Sequence, residues 1–219
     1  MSKQSLIIQY AMRYGAWLVH SDELLGELAI ANALAHEIRP DGRAFVDHPS
    51  DPGGATKWGI SLRFLSDLIE SRGIEASAFD YDRDGDVDIV DMRSLTLDQA
   101  RALLWQEFWE PYRTAELPPA IAIKVFDMAV NMGQRQAVKL LQDALNGLLG
   151  SIRLKPLTRD GVIGPKTIAA AVLLQENGAD AYAILGRVRD HMESFYKDLV
   201  LANPKFESFI NGWLKRAAA

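Results

Sequence analysis

Two carboxylates, Glu37 and Asp51, flank a polar segment that lies between two apolar stretches with helical spacing. Asp51 begins an Asp-Pro-Gly-Gly turn, and Thr56 follows that turn. Cleavage of an acetal between two sugars needs one carboxylic acid to protonate the leaving oxygen. It also needs a second carboxylate, or a water that this carboxylate activates, to meet the developing oxocarbenium charge. The residue types and their order therefore predict a glycosidase site, in which Glu37 and Asp51 supply the two carboxyl groups.

The segments around these residues are similar to a known family. LAHE at 34–37, followed by DHPSDPGGATKWGIS at 47–61, resembles the N-terminal signature of glycoside hydrolase family 108, the lysozyme-like muramidases of phages and bacterial secretion systems. Further similar segments follow in the expected order between residues 29 and 216: LTLDQARALLWQEFWEPY, FDMAVNMG, LLQDALN, DGVIGPKT and FINGWLKRA. The resemblance implies hydrolysis of the β-1,4 bond between N-acetylmuramic acid and N-acetylglucosamine in peptidoglycan. It also implies that the Thr56 hydroxyl orients the attacking water.

The position of the catalytic acid depends on how the loop before the turn is aligned. The family usually has a Glu-Gly-Gly-aromatic stretch directly before the turn, whereas here Glu37 is followed by the longer segment IRPDGRAF. A strict alignment on the aromatic Phe45 would place Gly42 at the catalytic position, and Asp41 and Asp47 are the carboxylates that compete for the role. We favour Glu37 because LAH precedes it and because a longer exposed loop costs little closure entropy.

Each of the other site residues also has a structural interpretation. Asp51 alternatively caps the turn, and Thr56 alternatively fills a short strand. Trp58 offers a flat face for stacking on a sugar ring, although aromatic residues are more often part of the core. Asp127 and Asn131 lie four residues apart on one helical face, so they either bind an acetamido or hydroxyl group or form a buried polar pair. DGVIGPKT at 160–167 is interpreted as a compact turn and not as a binding site.

The segment DYDRDGDVDIVD at 80–91 has the pattern of an EF-hand calcium loop, with glycine at position 6 and an apolar residue at position 8. Position 12 is aspartate, as in dockerin-like loops. The alternative is a solvated acidic loop, which we disfavour because so many like charges repel one another without a cation. Mg²⁺ is disfavoured by its need for octahedral geometry. We expect one structural Ca²⁺, with ligands from Asp80, Asp82, Asp84, Asp86, Asp88 and Asp91.

Helical spacing dominates the chain, so the sequence predicts a mainly α, lysozyme-like fold of two helical lobes with a small turn or β segment near the site. Residues 1–20 are expected to form an N-terminal helical extension. Residues 21–219 are expected to form one domain, with a catalytic lobe over 21–115 and a helical lobe over 116–219. Helix starts are predicted at Ser21, at a Thr96–Gln99 capping box, at Pro119 and at Pro165.

Composition limits the partners. With 219 residues and a formal charge of −5, the chain can bury a core but has no overall attraction for nucleic acid or anionic membranes. Neither a cleavable signal peptide nor a membrane span is predicted. We therefore expect synthesis in the cytoplasm, release by a holin or a dedicated export system, and peptidoglycan as the partner. The alternatives are a lytic transglycosylase and a non-catalytic, calcium-stabilised protein for wall binding or secretion.

Overall fold

The structure, a computed structural model, describes residues 21–39 and 41–219. The predicted N-terminal extension at 1–20 lies outside the described residues. The described part of the chain consists mostly of α-helices and contains one small antiparallel sheet, which confirms the mainly α, lysozyme-like prediction. None of these helices is long and apolar enough to cross a membrane.

The elements follow one another in chain order. The helices are α1 Asp22–Glu37, α2 Leu62–Arg72, α3 Ile89–Ser94, α4 Leu97–Leu104, α5 Pro119–Met132, α6 Gln134–Leu149, α7 Pro165–Glu176, α8 Ala181–Ala202 and α9 Ile210–Ala218. The strands are β1 Phe45–Val46, β2 Thr56–Lys57 and β3 Ile60–Ser61. A π-helical segment, Trp105–Trp109, continues α4. Short 3-10 turns lie at Ala76–Ala78, Arg113–Glu116, Gly150–Ile152 and Pro204–Phe209.

The chain divides into two compact units. The first, which we call the hairpin unit, is Leu34–Leu104. The second, which we call the helical unit, contains residues 21–33 and Trp105–Ala219. This division differs from the predicted lobes, which met at residues 115 and 116. The difference arises because Trp109 packs against Phe126 of α5, with ring centroids 5.7 Å apart, and so belongs with the helical unit.

In the hairpin unit, the three strands pair in the order β1-β2-β3. Lys57 pairs with Ile60, so a two-residue turn of Trp58 and Gly59 joins β2 to β3. Ser61 caps α2 by accepting a hydrogen bond from the Phe64 amide, and Gly73 ends that helix in the left-handed region. The largest fully buried side chains of this unit are apolar and include Ile60, Leu65, Met92 and Leu95.

The helical unit has its core around α5, in which ten successive residues from Ala120 to Ala129 are buried. As predicted, Pro119 is the first residue of α5 and Gly133 caps its end. The predicted start of α1 is also confirmed, because the Ser21 hydroxyl accepts a hydrogen bond from the Leu24 amide. Leu24, however, was expected in the apolar stripe and is instead 48% exposed, because the buried face of this turn is formed by Leu25 and Gly26.

Candidate active site

Glu37 is the last residue of α1 and is half-buried. It belongs to the hairpin unit, which also contains Asp51 and Thr56. The helix therefore delivers this carboxyl group at its C-terminal end, where the chain turns into the loop before β1. The hairpin unit therefore contains Glu37, the Asp-Pro-Gly-Gly turn and the hairpin of β2 and β3.

The Asp51 carboxylate is fixed by the turn that it begins. Its Oδ1 accepts a hydrogen bond from the Gly53 amide at 2.8 Å, and its carbonyl accepts one from Gly54 at 3.1 Å. A β-carbon at Gly53 would lie 3.1 Å from Asp51 Oδ1 and 3.3 Å from Ser61 Cβ, so this close approach favours glycine. Asp51 therefore does cap the turn. Its Oδ2 has no hydrogen-bond partner among the described residues, so the cap leaves one oxygen for other chemistry.

Thr56 lies in β2, as the strand interpretation predicted, and its half-buried hydroxyl is 3.5 Å from the Gly54 carbonyl oxygen. Trp58 and Gly59, the two residues of the following turn, both have positive φ, at 55° and 80°. This is the backbone that type I′ hairpin turns require, and it is uncommon for a bulky side chain such as tryptophan. The indole Nε1 of Trp58 is buried and has no hydrogen-bond partner in the described chain.

The competing carboxylates differ from Glu37 in their surroundings. Asp41 is exposed and forms an ion pair with Arg43 at 2.6 Å. Hydrogen bonds from Arg43 lower the pKa of the Asp41 carboxyl group, which opposes a role as proton donor near neutral pH. Gly42 has φ of 80° with open space around it, as expected for a glycine in a loop turn, and Asp47 is exposed.

Asp127 and Asn131 lie on α5 in the helical unit, and each has a partner from a distant part of the sequence. Asp127 is 0% exposed and its Oδ1 accepts hydrogen bonds from Arg216 at 2.9 and 3.0 Å. Asn131 is half-buried and its Oδ1 accepts a hydrogen bond from the Tyr196 hydroxyl at 2.7 Å. The burial of Asp127 favours the buried-pair interpretation over direct substrate contact. The Asn131 oxygen is already in use, which leaves its NH₂ group as the available donor.

The sequence analysis did not identify Lys124 and Arg216 as parts of this polar cluster. Lys124 is buried in α5, and its Nζ donates to the Arg216 carbonyl at 2.8 Å. Burial lowers the pKa of Lys124 to about 8. A lysine and an aspartate within an otherwise apolar helix were the available signal, because buried charges require partners. Nothing in the local pattern of α5 indicates where those partners lie.

The loop from Asp80 to Asp91 places its acidic side chains in two groups. Carboxylate oxygens of Asp80, Asp82 and Asp84 lie within 4.8 Å of one another, and so do those of Asp86, Asp88 and Asp91. Gly85, at loop position 6, has φ of 102°, a conformation that favours glycine. Repulsion from Asp84 raises the pKa of the Asp86 carboxyl group. An all-oxygen donor set whose members repel one another fits a hard divalent cation such as Ca²⁺.

The loop also starts a helix. Asp88 is the N-cap of α3, and the Asp88 amide donates to Asp91 Oδ2 at 2.8 Å, so these two residues form a capping box. Asp91 is fully buried, and its Oδ1 accepts hydrogen bonds from the amides of Tyr81 and Asp82. The last carboxylate of the loop therefore orders both the loop entrance and the helix that follows it.

The DGVIGPKT segment forms the compact turn that was predicted. Asp160 Oδ1 accepts a hydrogen bond from the Val162 amide at 2.9 Å and another from the buried Gln142 amide at 2.7 Å. Gln142 also accepts a hydrogen bond from the Gly161 amide and donates to Thr167. Its side chain therefore holds the turn against α6, a role that the sequence analysis missed.

Comparison with known proteins finds a family match for each of two regions of the chain. Residues 32–133 match the family described as "Glycosyl hydrolase 108", and residues 136–218 match the one described as "Predicted Peptidoglycan domain". Among solved structures, "Structure of Brucella abortus SagA" is similar over 88% of this chain and 91% of that chain, with 28% sequence identity and a TM-score of 0.60. No curated protein gives a significant match.

The hydrolase match contains Glu37, Asp51 and Thr56, and the peptidoglycan match covers α6 to α9 almost completely. The chain thus combines a glycoside hydrolase region with a region that matches a peptidoglycan domain. The protein is a peptidoglycan hydrolase of the muramidase type, and its residues 32–133 are similar to glycosyl hydrolase family 108.

Proposed function

We propose that this muramidase uses Glu37 as the general acid, Asp51 as the second carboxylate and Thr56 to position water. The observation that carries the proposal is the hairpin unit itself, which holds a half-buried carboxyl group at a helix end together with a carboxylate anchored by the Gly53 amide. Two such carboxyl groups meet the minimal requirement for hydrolysis of a glycosidic bond.

In the proposed reaction, Glu37 gives its proton to the bridging oxygen as the bond from that oxygen to the anomeric carbon of N-acetylmuramic acid breaks. Asp51, whose Oδ1 is held by Gly53, meets the developing positive charge through its other oxygen, either directly or through a water oriented by Thr56. The water oxygen becomes the new hydroxyl group on the anomeric carbon, and its second proton restores Glu37 through the surrounding groups. A carboxyl separation of roughly 6.5–9.5 Å implies inversion, and one of roughly 5–5.5 Å implies retention.

We further propose that Trp58 and Asn131 contact the glycan. Trp58 is held in a strained turn, and strained residues cluster at ligand-binding positions. Its buried Nε1–H lacks an acceptor among the described residues, so a sugar hydroxyl or acetamido oxygen is a fitting partner. Asn131 is oriented by Tyr196 so that it offers a donor. Asp127, on the same helix as Asn131, stabilises the helical unit through its ion pair with Arg216.

The loop from Asp80 to Asp91 is proposed to bind one structural Ca²⁺. What supports this is the pair of oxygen clusters and the glycine at position 6. Asp80, Asp82, Asp84 and Asp88 would supply carboxylate oxygens, Asp86 its backbone carbonyl, and Asp91 the closing carboxylate. None of these ligands coincides with the proposed catalytic residues, so the ion's role is to neutralise the loop and order α3.

The cellular role that we propose is lysis of the bacterial wall, as an endolysin of a bacteriophage or a related secretion-associated enzyme. The support is the resemblance of the segments around Glu37 and Asp51 to muramidases of those systems. Synthesis in the cytoplasm and release through a holin or dedicated export complete this proposal. Expression in the bacterial cytoplasm with and without a holin tests it, because lysis should require the holin.

The catalytic proposal is tested with Glu37→Gln, which retains the shape of the side chain and removes its acidic proton. We expect loss of release of reducing ends from purified sacculi by about 10²–10⁴-fold, since that is the contribution of general acid catalysis. Glu23→Gln, on the exposed first turn of the same helix, is the matched control and should retain activity. Asp51→Asn should reduce turnover more than binding.

The products separate the alternatives. Reducing N-acetylmuramic acid ends indicate hydrolysis, whereas anhydro-sugar ends would indicate a lytic transglycosylase. Near-normal turnover by Glu37→Gln would refute its role and direct attention to Asp47. If Asp51→Asn lowers stability and leaves activity per folded molecule intact, Asp51 is only a turn cap.

A further inference from the structure

A cavity of about 430 Å³ lies at the junction of α5 and α6, within the helical unit. It is lined by Tyr112, by residues 132–136 and by Lys139. The catalytic proposal does not use this cavity. Its walls combine aromatic, amide and cationic groups, which is the composition of a small polar binding site.

The charge of the cavity wall has one sign. Arg135 and Lys139 are one helical turn apart on α6, so their side chains lie on the same face. None of the described residues that line the cavity is acidic. Arg135 helps to lower the pKa of the Asp160 carboxyl group, but within the described chain neither cation forms a close ion pair. The stem of Arg135 is held in place, because its Cγ lies against Gly161, where an added β-carbon would be 2.6 Å away.

The start of α6 adds to this positive character. The helix has 16 residues, its N-cap Gly133 provides no side-chain cap, and its first turn contains no acidic residue. Its first amides therefore lack the carboxylate or hydroxyl acceptor that helices usually place there. An anionic ligand group would supply the missing acceptor and would interact favourably with the helix dipole.

The side chain of Gln134 indicates a ligand independently of the positive charges. Its Oε1 and its Nε2 are both buried and have no hydrogen-bond partner among the described residues. A desolvated amide without partners is costly, and native proteins rarely retain one. Because Gln134 lines the cavity and is the first residue of α6, a ligand that brings both a donor and an acceptor would satisfy it. A peptide unit carries such a pair.

We propose that this cavity binds the stem peptide of peptidoglycan, with Arg135 and Lys139 contacting its carboxylates and Gln134 contacting its backbone. The chemistry selects this part of the wall polymer, because the glycan's free hydroxyl and acetamido groups are neutral and the peptide carries the carboxylates and amides. The inference rests on the proposed function for its substrate. It makes the enzyme selective for peptide-bearing glycan over bare glycan strands.

The test measures binding of the full chain, in the Glu37→Gln background, to two solid substrates. One is purified sacculi. The other is glycan strands from which an amidase has removed the stem peptides and whose lactyl carboxylates, freed by that cleavage, have been converted to neutral methylamides. Arg135→Gln combined with Lys139→Gln should weaken binding to sacculi about tenfold, an effect expected for two partly screened charge contacts, and should leave binding to bare strands unchanged. Lys155→Gln with Lys205→Gln, two exposed residues of the same unit, removes the same charge and should change neither.

A second variant separates ligand binding from stability. Gln134→Leu removes the two buried polar atoms and retains the volume, so the melting temperature should be unchanged or higher. Binding to sacculi should nevertheless fall, and in the active enzyme KM should rise with kcat retained. Equal weakening on sacculi and bare strands, or unchanged binding to sacculi, overturns the inference. Wild-type enzyme that binds sacculi selectively but releases no reducing ends would refute the proposed function alone.

Discussion

Replacing Asp127 by asparagine tests whether this residue holds the helical unit together or binds glycan. The Asp127 side chain is 0% exposed, and its Oδ1 is 2.9 Å from Arg216 Nη2. Asparagine removes the negative charge that compensates the buried guanidinium of Arg216. Breaking a buried ion pair from one side costs about 3–5 kcal/mol. For a protein of this size, that corresponds to a fall in melting temperature of roughly 6–20 °C.

The assay is thermal unfolding measured beside glycan binding. Asn131→Ala is the comparison on the same helical face. It removes the hydrogen bond with Tyr196, which should cost about 1 kcal/mol of stability, and it removes the donor proposed to contact the glycan, so glycan affinity should fall. Combining Asp127→Leu with Arg216→Met should recover most of the lost stability, since neither charge then remains buried alone. Unchanged melting of Asp127→Asn together with a clear loss of glycan affinity would refute the buried-pair interpretation and restore direct substrate contact.

Lys124, Trp58 and the acidic loop can each be tested by one further experiment. The pKa of Lys124 is about 8 in the folded protein and returns to its ordinary 10.5 on unfolding. Between pH 8 and pH 10.5 the unfolded state therefore binds more protons than the folded state. The unfolding free energy of the wild type should rise by about 3 kcal/mol over this range relative to that of Lys124→Met. Parallel plots of unfolding free energy against pH for the two proteins would contradict this prediction. Trp58→Phe should raise KM several-fold, because it removes the indole N–H while keeping an aromatic ring at the turn. An unchanged KM would exclude that contact. Removal of Ca²⁺ by a chelator should lower the melting temperature, because a bound ion stabilises the folded state by roughly 2.7 kcal/mol when Ca²⁺ is in hundredfold excess over Kd. Activity measured well below the melting temperature should persist. Identical melting with and without Ca²⁺ would reject the site.

Local signals in the sequence were sufficient for the element ends. The Thr96–Gln99 capping box forms as predicted, with the Gln99 side chain accepting from the Thr96 amide at 2.8 Å. Pro119 and Pro165 each occupy the first residue of a helix. These predictions succeeded because caps and prolines act within a few residues of the chain, through backbone groups that every helix end leaves unsatisfied.

Partners that are distant in sequence could not be predicted in this way. The spacing of Asp127 and Asn131 correctly placed both on α5, but it did not reveal that Arg216 and Tyr196 occupy their oxygens. A buried carboxylate and a substrate-binding carboxylate have the same pattern within one helix. Only the packing of α8 and α9 against α5 distinguishes the two cases. That packing brings together residues 65 and 89 positions apart in the chain.

The hairpin that carries Thr56 and Trp58 shows the same limit at the candidate site. Its strands have two residues each, too few to give an alternating pattern or to be stable alone. They are held from outside, because Lys57 Nζ donates to the Arg93 carbonyl and the Arg93 guanidinium lies 5.4 Å from the centre of the Phe45 ring. Arg93 belongs to α3, whose N-terminal end is capped by Asp88 of the acidic loop. The geometry of the hairpin therefore depends on Arg93, which lies 36 residues after Lys57 in the chain.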